Sequence, residues 1–86
     1  MPRALSIKRS IVPLSERAKY LERLKARQDY YQHASCEFWV FEEAALTGAF
    51  IEFVEAADAS TLEAAHSAAP EPVLDPARIY TEVELT

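Results

Sequence analysis

Residues 36–55 constrain this chain more than any other stretch. Two runs, Cys36 to Glu43 (CEFWVFEE) and Ala49 to Glu55 (AFIEFVE), are dense in aromatic and β-branched residues, the side chains that suit a pleated surface. Between them Ala44-Ala45-Leu46-Thr47-Gly48 forms a connection that ends in the chain's only glycine. This pattern predicts a hairpin with a longer turn or bulge, and Gly48 at a position where φ is positive. With the turn over 44–48, Trp39 faces Phe53 and Phe41 faces Ile51, making one apolar side suited to packing under helices. The other side carries Cys36, Phe38, Val40, Phe50 and Val54, mixed with Glu42 and Glu52. A slip of one residue would exchange the two sides, yet both would stay substantially apolar.

The flanking segments supply the remaining elements. Leu5 to Val12 reads as a strand stopped by Pro13. Ser15 is a candidate N-cap for a helix from Glu16 to about Gln32, which lacks Gly, Pro and β-branched residues. Its face of Arg17, Tyr20, Leu21, Leu24, Gln28 and Tyr31 makes it amphipathic. Ser60-Thr61-Leu62-Glu63 has the form of a capping box, opening a short helix toward Ala69. A proline-rich loop over 70–76 follows, and Arg78 to Leu85 alternates as a last strand, with Ile79, Thr81, Val83 and Leu85 on one side. The order β-α-β-β-α-β predicts a single α+β, ferredoxin-like domain over residues 1–86. Its two helices would lie on one face of a four-stranded antiparallel sheet.

Helices can cover only one side of such a sheet, and the hairpin is apolar on both. The second side therefore calls for another cover. A second copy related by a two-fold axis is the simplest, giving a homodimer with a cavity between the sheets. At 86 residues the chain is also small enough to profit from burial at a subunit interface.

Charge and composition narrow the function classes. Residues 1–35 carry eight basic and three acidic side chains, and residues 36–86 one basic (Arg78) and eleven acidic. The run Arg17, Lys19, Arg23, Lys25, Arg27 reads as the solvated face of a helix. With an acidic second half and no recognition motif beside it, nucleic acid is not an expected partner. No apolar run nears the roughly 20 residues of a membrane span. A single cysteine, Cys36, and no secretory apolar segment near the N-terminus favour the cytoplasm. No cofactor or metal is expected, since one glycine cannot build a phosphate loop and no HxH or HxxxH spacing exists.

The hairpin CEFWVFEE/GAFIEFVEA, the segment LEAAHSAAP and the closing strand IYTEVEL, in this element order, together resemble the dimeric α+β barrel superfamily. That group includes the antibiotic-biosynthesis-monooxygenase-like proteins. The resemblance covers nearly the whole chain and implies the ferredoxin-like fold and a dimeric α/β barrel. Its members range from cofactor-free oxygenases and isomerases to sensory domains, so it bears only faintly on reaction.

His66 shares the apolar face Leu62, Ala65, His66, Ala69 of the second helix and is the candidate catalytic residue, a proton donor or acceptor for a ligand. A lone histidine there is more ordinarily a hydrogen-bonded group at the helix–sheet boundary. Phe38, Phe50, Glu52, Tyr80 and Glu82 are candidate ligand-binding residues lining the dimer cavity, with Lys8 or Arg9 as a cation beside them. Charged groups there serve as often as interface salt bridges or a solvated rim. His33 lies on the exposed side of its helix, and Trp39 with Phe53 reads as core. Two functional readings stand, and whether the chain is an enzyme is open between them. One is a homodimer that binds a small molecule without catalysis, favoured because no catalytic grouping is evident. The other is a cofactor-independent monooxygenase-like or isomerase-like enzyme acting on a small organic substrate. A third, a sensory module, would need a DNA-binding domain that these residues do not encode.

Overall fold

The computed structural model describes residues 2–70 and 78–85, so the loop expected over 70–76 lies outside them except for Pro70. Along the chain come β1 (Ala4–Ile11), a 3-10 turn over Leu14–Glu16, α1 (Arg17–His33), β2 (Glu37–Glu42), β3 (Ala49–Ala56), α2 (Ala59–Ser67) and β4 (Ile79–Thr81). The strands form one antiparallel sheet in the order β2-β3-β1-β4. Each helix thus returns the chain to a strand two places away. Over the described residues this is an α+β architecture with two helices and a four-stranded antiparallel sheet, compatible with the ferredoxin-like fold.

The hairpin register is the expected one: Trp39 pairs with Phe53 and Phe41 with Ile51. The side that meets the helices is the other one. Phe38, Phe50, Val54 and Cys36 are buried beneath the helices, whereas Trp39 is 44% and Phe41 57% exposed. The turn out of α1 decides this. Ser35 adopts φ 63°, the Ala34 amide donates to the carbonyls of Tyr30 and Tyr31, and the Cys36 amide donates to Tyr31 O at 2.9 Å. That tight exit aims Cys36 and Phe38 back at α1, where the Tyr31 ring stacks on Phe38 at 5.8 Å. A left-handed serine costs on the order of 1 kcal/mol relative to glycine, so the phase of β2 is held against a local penalty.

Leu62 of α2 is fully buried, a contribution of about 2–3 kcal/mol, and α1 presses Tyr20, Leu24 and Tyr31 onto the sheet. Leu21 and Gln28, expected on that face, are exposed. Helix starts also differ from expectation. Ser15 lies in the 3-10 turn, and no side chain caps α1. Asp58, not Ser60, caps α2: its Oδ1 accepts from the Thr61 amide at 2.8 Å and the Ser60 hydroxyl at 2.9 Å. A carboxylate makes the stronger, charge-assisted cap. β4 is only three residues long, paired to Ala4–Ser6, and Val83 and Leu85 run on beyond it, 74% and 93% exposed. Among the described residues no helix is long and apolar enough to cross a membrane.

Glu42 ties the hairpin end to α1. Arg17 grips it with Nη1–Oε2 at 2.6 Å and Nη2–Oε1 at 2.9 Å, and the Gly48 amide donates to Oε2 at 2.9 Å. The Arg17 hydrogen bonds first, and the Gly48 amide second, hold the Glu42 carboxyl down at about 2. A carboxyl held below its unfolded value stabilises the fold fully above about pH 5, and that contribution fades as pH falls toward 2. Urea midpoints measured across this range should drop for the wild type, and Glu42→Gln should flatten that part of the profile. An unchanged slope in the variant would show that the Arg17 grip does not persist in solution.

Candidate functional site

The side of the sheet under the helices carries an unusual load of polar groups. By register Ser6, Lys8 and Ser10 of β1 share that side with Val54, Glu52 and Phe50 of β3. Glu52, at the centre of β3, is 2% exposed. The Tyr20 hydroxyl donates to its Oε2 at 2.9 Å, and Arg27 Nη1 stands 3.1 Å from Oε1 as an ion pair. Oε1 nevertheless accepts no hydrogen bond of good geometry. The Arg27 guanidinium also lies over the Phe38 ring, 6.0 Å from its centre.

His66 reaches into the same layer from α2 and is 6% exposed. Its Nδ1 lies 2.8 Å from the Tyr31 hydroxyl and its Nε2 2.9 Å from Ser6 Oγ. Burial first, and the nearby Arg27 cation second, push its pKa below the ordinary histidine value, so the ring is neutral at pH 7. A neutral ring has one N–H and one acceptor. Arg27, which can only donate, also acts on the Tyr31 hydroxyl. Tyr31 then keeps its own proton for Nδ1, and Nε2–H donates to Ser6. Burial raises the Tyr31 pKa, and burial followed by the Glu52 hydrogen bond raises that of Tyr20 to about 12, so both phenols stay protonated. The Tyr30 hydroxyl locks the helices together by donating to Ala65 O at 2.6 Å.

The product is a continuous polar network, Tyr20–Glu52–Arg27–Tyr31–His66–Ser6, held between α1, α2 and the sheet. It opens outward at Arg27 and Tyr31 to a cleft of about 60 Å³ lined also by Ala26, Tyr30, Ala69 and Pro70, room for a few waters or one end of a small molecule. Chemically it offers a neutral imidazole that can take the Tyr31 proton, a buried carboxylate and a cation that can hold an anionic oxygen.

Of the candidates from sequence, His66, Glu52, Phe38 and Phe50 lie in this layer. Tyr80 does not: it pairs with Leu5 on the opposite side of the sheet and is 53% exposed. Glu82 sits past β4, gripped by Arg3 through Nε–Oε1 at 3.1 Å and Nη2–Oε2 at 2.8 Å. The five ligand-binding candidates therefore do not converge on one cavity. Trp39, expected as core, belongs to the exposed side, and His33 is exposed as expected, 2.8 Å from the Asp29 carbonyl. Sequence reasoning misses Tyr31, Arg27, Tyr20 and Ser6 as site residues. A signal existed, because 20, 24, 27 and 31 form one helical stripe, and an arginine in it departs from a merely solvated basic run. Among the described residues no cluster of three or more His, Cys, Asp or Glu could hold a metal ion. Cys36 is buried, and burial alone raises its pKa.

No family profile, no curated protein and no solved structure matches this chain.

Proposed function

We propose that the protein is a homodimer that binds a small organic anion at the mouth of the layer between helices and sheet, at Arg27 and Tyr31, with His66 behind Tyr31. The observation that carries this reading is the buried Glu52–Arg27 pair joined to a neutral, doubly hydrogen-bonded His66. Burying charge in so small a domain offsets little of its desolvation cost, and apolar residues would serve stability as well. Groups of this kind concentrate where a ligand is held. Arg27 is the cation at the mouth of the cleft, which favours an anionic ligand.

The dimer reading rests on the uncovered side of the sheet. Leu5, Ile7, Trp39, Phe41, Ile51 and Phe53 share it by register, and monomers rarely leave so continuous an apolar surface in water. A second sheet packed against it, as in a dimeric α/β barrel with ferredoxin-like protomers, would bury it. One observation favours catalysis as well: His66 is neutral with both ring nitrogens fixed. In a proton-abstracting enzyme of the cofactor-independent monooxygenase-like or isomerase-like kind, Tyr31 would take the substrate's proton as it passes its own to Nδ1.

Sedimentation at micromolar concentration should give a dimer, and a thermal-shift panel of small organic acids should contain members that raise Tm. At a hundred times its Kd a ligand adds about 2.7 kcal/mol. Tyr31→Phe should weaken that shift while keeping the fold. A monomer in the centrifuge would refute the dimer. A panel in which no acid moves Tm at millimolar concentration would refute the site. Turnover unaltered by His66→Gln would remove the catalytic reading.

A further inference from the structure

The uncovered side of the sheet is apolar at its centre and charged at two places only partly accounted for within the chain. Glu55 has Arg3 at 3.2 Å, with Arg3 also holding Glu82. Arg9 and Glu37, both exposed, have no ion-pair partner among the described residues. Their placement follows from register. Phe53 pairs with Trp39 on one side and Ile7 on the other. Arg9 is the next outward residue past Ile7, opposite Ile51, and Glu37 is the one before Trp39, opposite Glu55. β1 and β2 run in the same direction, each being antiparallel to β3, so these steps point opposite ways along the sheet. Arg9 and Glu37 therefore lie diagonally at equal offsets about Phe53.

We infer that a second copy covers this side about a two-fold axis passing over Phe53, so that Arg9 of each copy meets Glu37 of the other. A two-fold between facing sheets lies in the plane between them. An axis in that plane through Phe53, at right angles to the Arg9–Glu37 diagonal, exchanges the two positions in projection and forms both ion pairs at once. It places Phe53, Trp39 and Ile7 at the dry centre and the charges toward the rim, the usual division of an interface. An axis over Phe53 parallel to the strands would instead set Arg9 over Phe41 and Glu37 over Leu5, and leave both charges unanswered. This inference rests on the homodimer reading above and adds the orientation and partner residues.

The experiment is a charge exchange followed by sedimentation equilibrium across a concentration series, with circular dichroism to verify folding. Arg9→Glu and Glu37→Lys should each raise the dimer Kd about tenfold or more, since each sets like charges together twice per dimer. The double variant R9E/E37K should return Kd to within about threefold of wild type. A wild-type dimer whose Kd is indifferent to the single changes, or is not restored by the double, overturns this axis while leaving the dimer intact. A wild type that stays monomeric overturns the dimer reading and the axis with it.

Discussion

Replacing Arg27 with alanine should cost the fold about 3–5 kcal/mol, read as a lower urea midpoint at pH 7. The Arg27 side chain is 18% exposed and its Glu52 partner 1%. Truncation removes the guanidinium from Oε1 and leaves the Tyr20 hydroxyl donating to Oε2. The guanidinium's packing over Phe38 is lost as well. Against a total of roughly 0.05–0.15 kcal/mol per residue, such a loss is a large share of all the stability a domain of this size has. The companion variant isolates the cause. Adding Glu52→Gln to Arg27→Ala removes the stranded charge while keeping the volume, and should recover part of the loss. If the double variant is no more stable than the single one, the damage came from packing and the buried pair is not what Arg27 supplies. Either variant should also weaken the proposed anion site, because both alter the cation that faces it.

Gly48→Ala should destabilise by about 2–3 kcal/mol, which in a domain of this size lowers Tm by roughly 10–20 °C. Gly48 has φ +93°, and a Cβ built there would stand 2.6 Å from the Val12 carbonyl oxygen. The obstacle is backbone, so no side chain can swing away. The left-handed conformation costs on the order of 1–2 kcal/mol for an L-residue, and the forced shift would strain the Val12 N–H bond to Gly48 O, now 2.8 Å, worth about 1 kcal/mol. The neighbouring Leu46, 52% exposed, is the control: Leu46→Ala should stay within about 0.5 kcal/mol of wild type. Equal losses at both positions would mean that the turn is generally fragile and that the close approach at Gly48 is not decisive.

What could be read from the residues was mostly what depends on neighbours in sequence. The strand runs, the long helix, the sole glycine's positive φ and the pairing of Trp39 with Phe53 all follow from local composition and turn length. Which hairpin side meets α1 does not. It is set by the left-handed turn at Ser35, a residue type with no strong preference for that conformation, so composition and turn length alone assign the two sides the wrong way round. Three of the four strand ends agree to within a residue or so, but β4 stops at Thr81, which lies opposite Ala4, the first residue of β1. The site shows the same division. His66 and Glu52 were visible as polar residues in apolar settings. Their convergence with Tyr31 and Arg27 needed the packing of α1 over the sheet, a contact between elements far apart in the chain.

The sheet order has a consequence for how the chain comes to be folded. β1 is the earliest strand in chain order and lies inside the sheet, with β3 on one flank and β4 on the other. As the polypeptide emerges from the ribosome, Ala4 must wait for Ala56 before one side is paired and for Thr81 before the other is. Meanwhile α1 can already wind from its own propensity, and the β2–β3 ribbon can close through its turn. The strand made first is thus the last to be fully enclosed, and long-range closures of this kind slow folding relative to helical bundles of equal size.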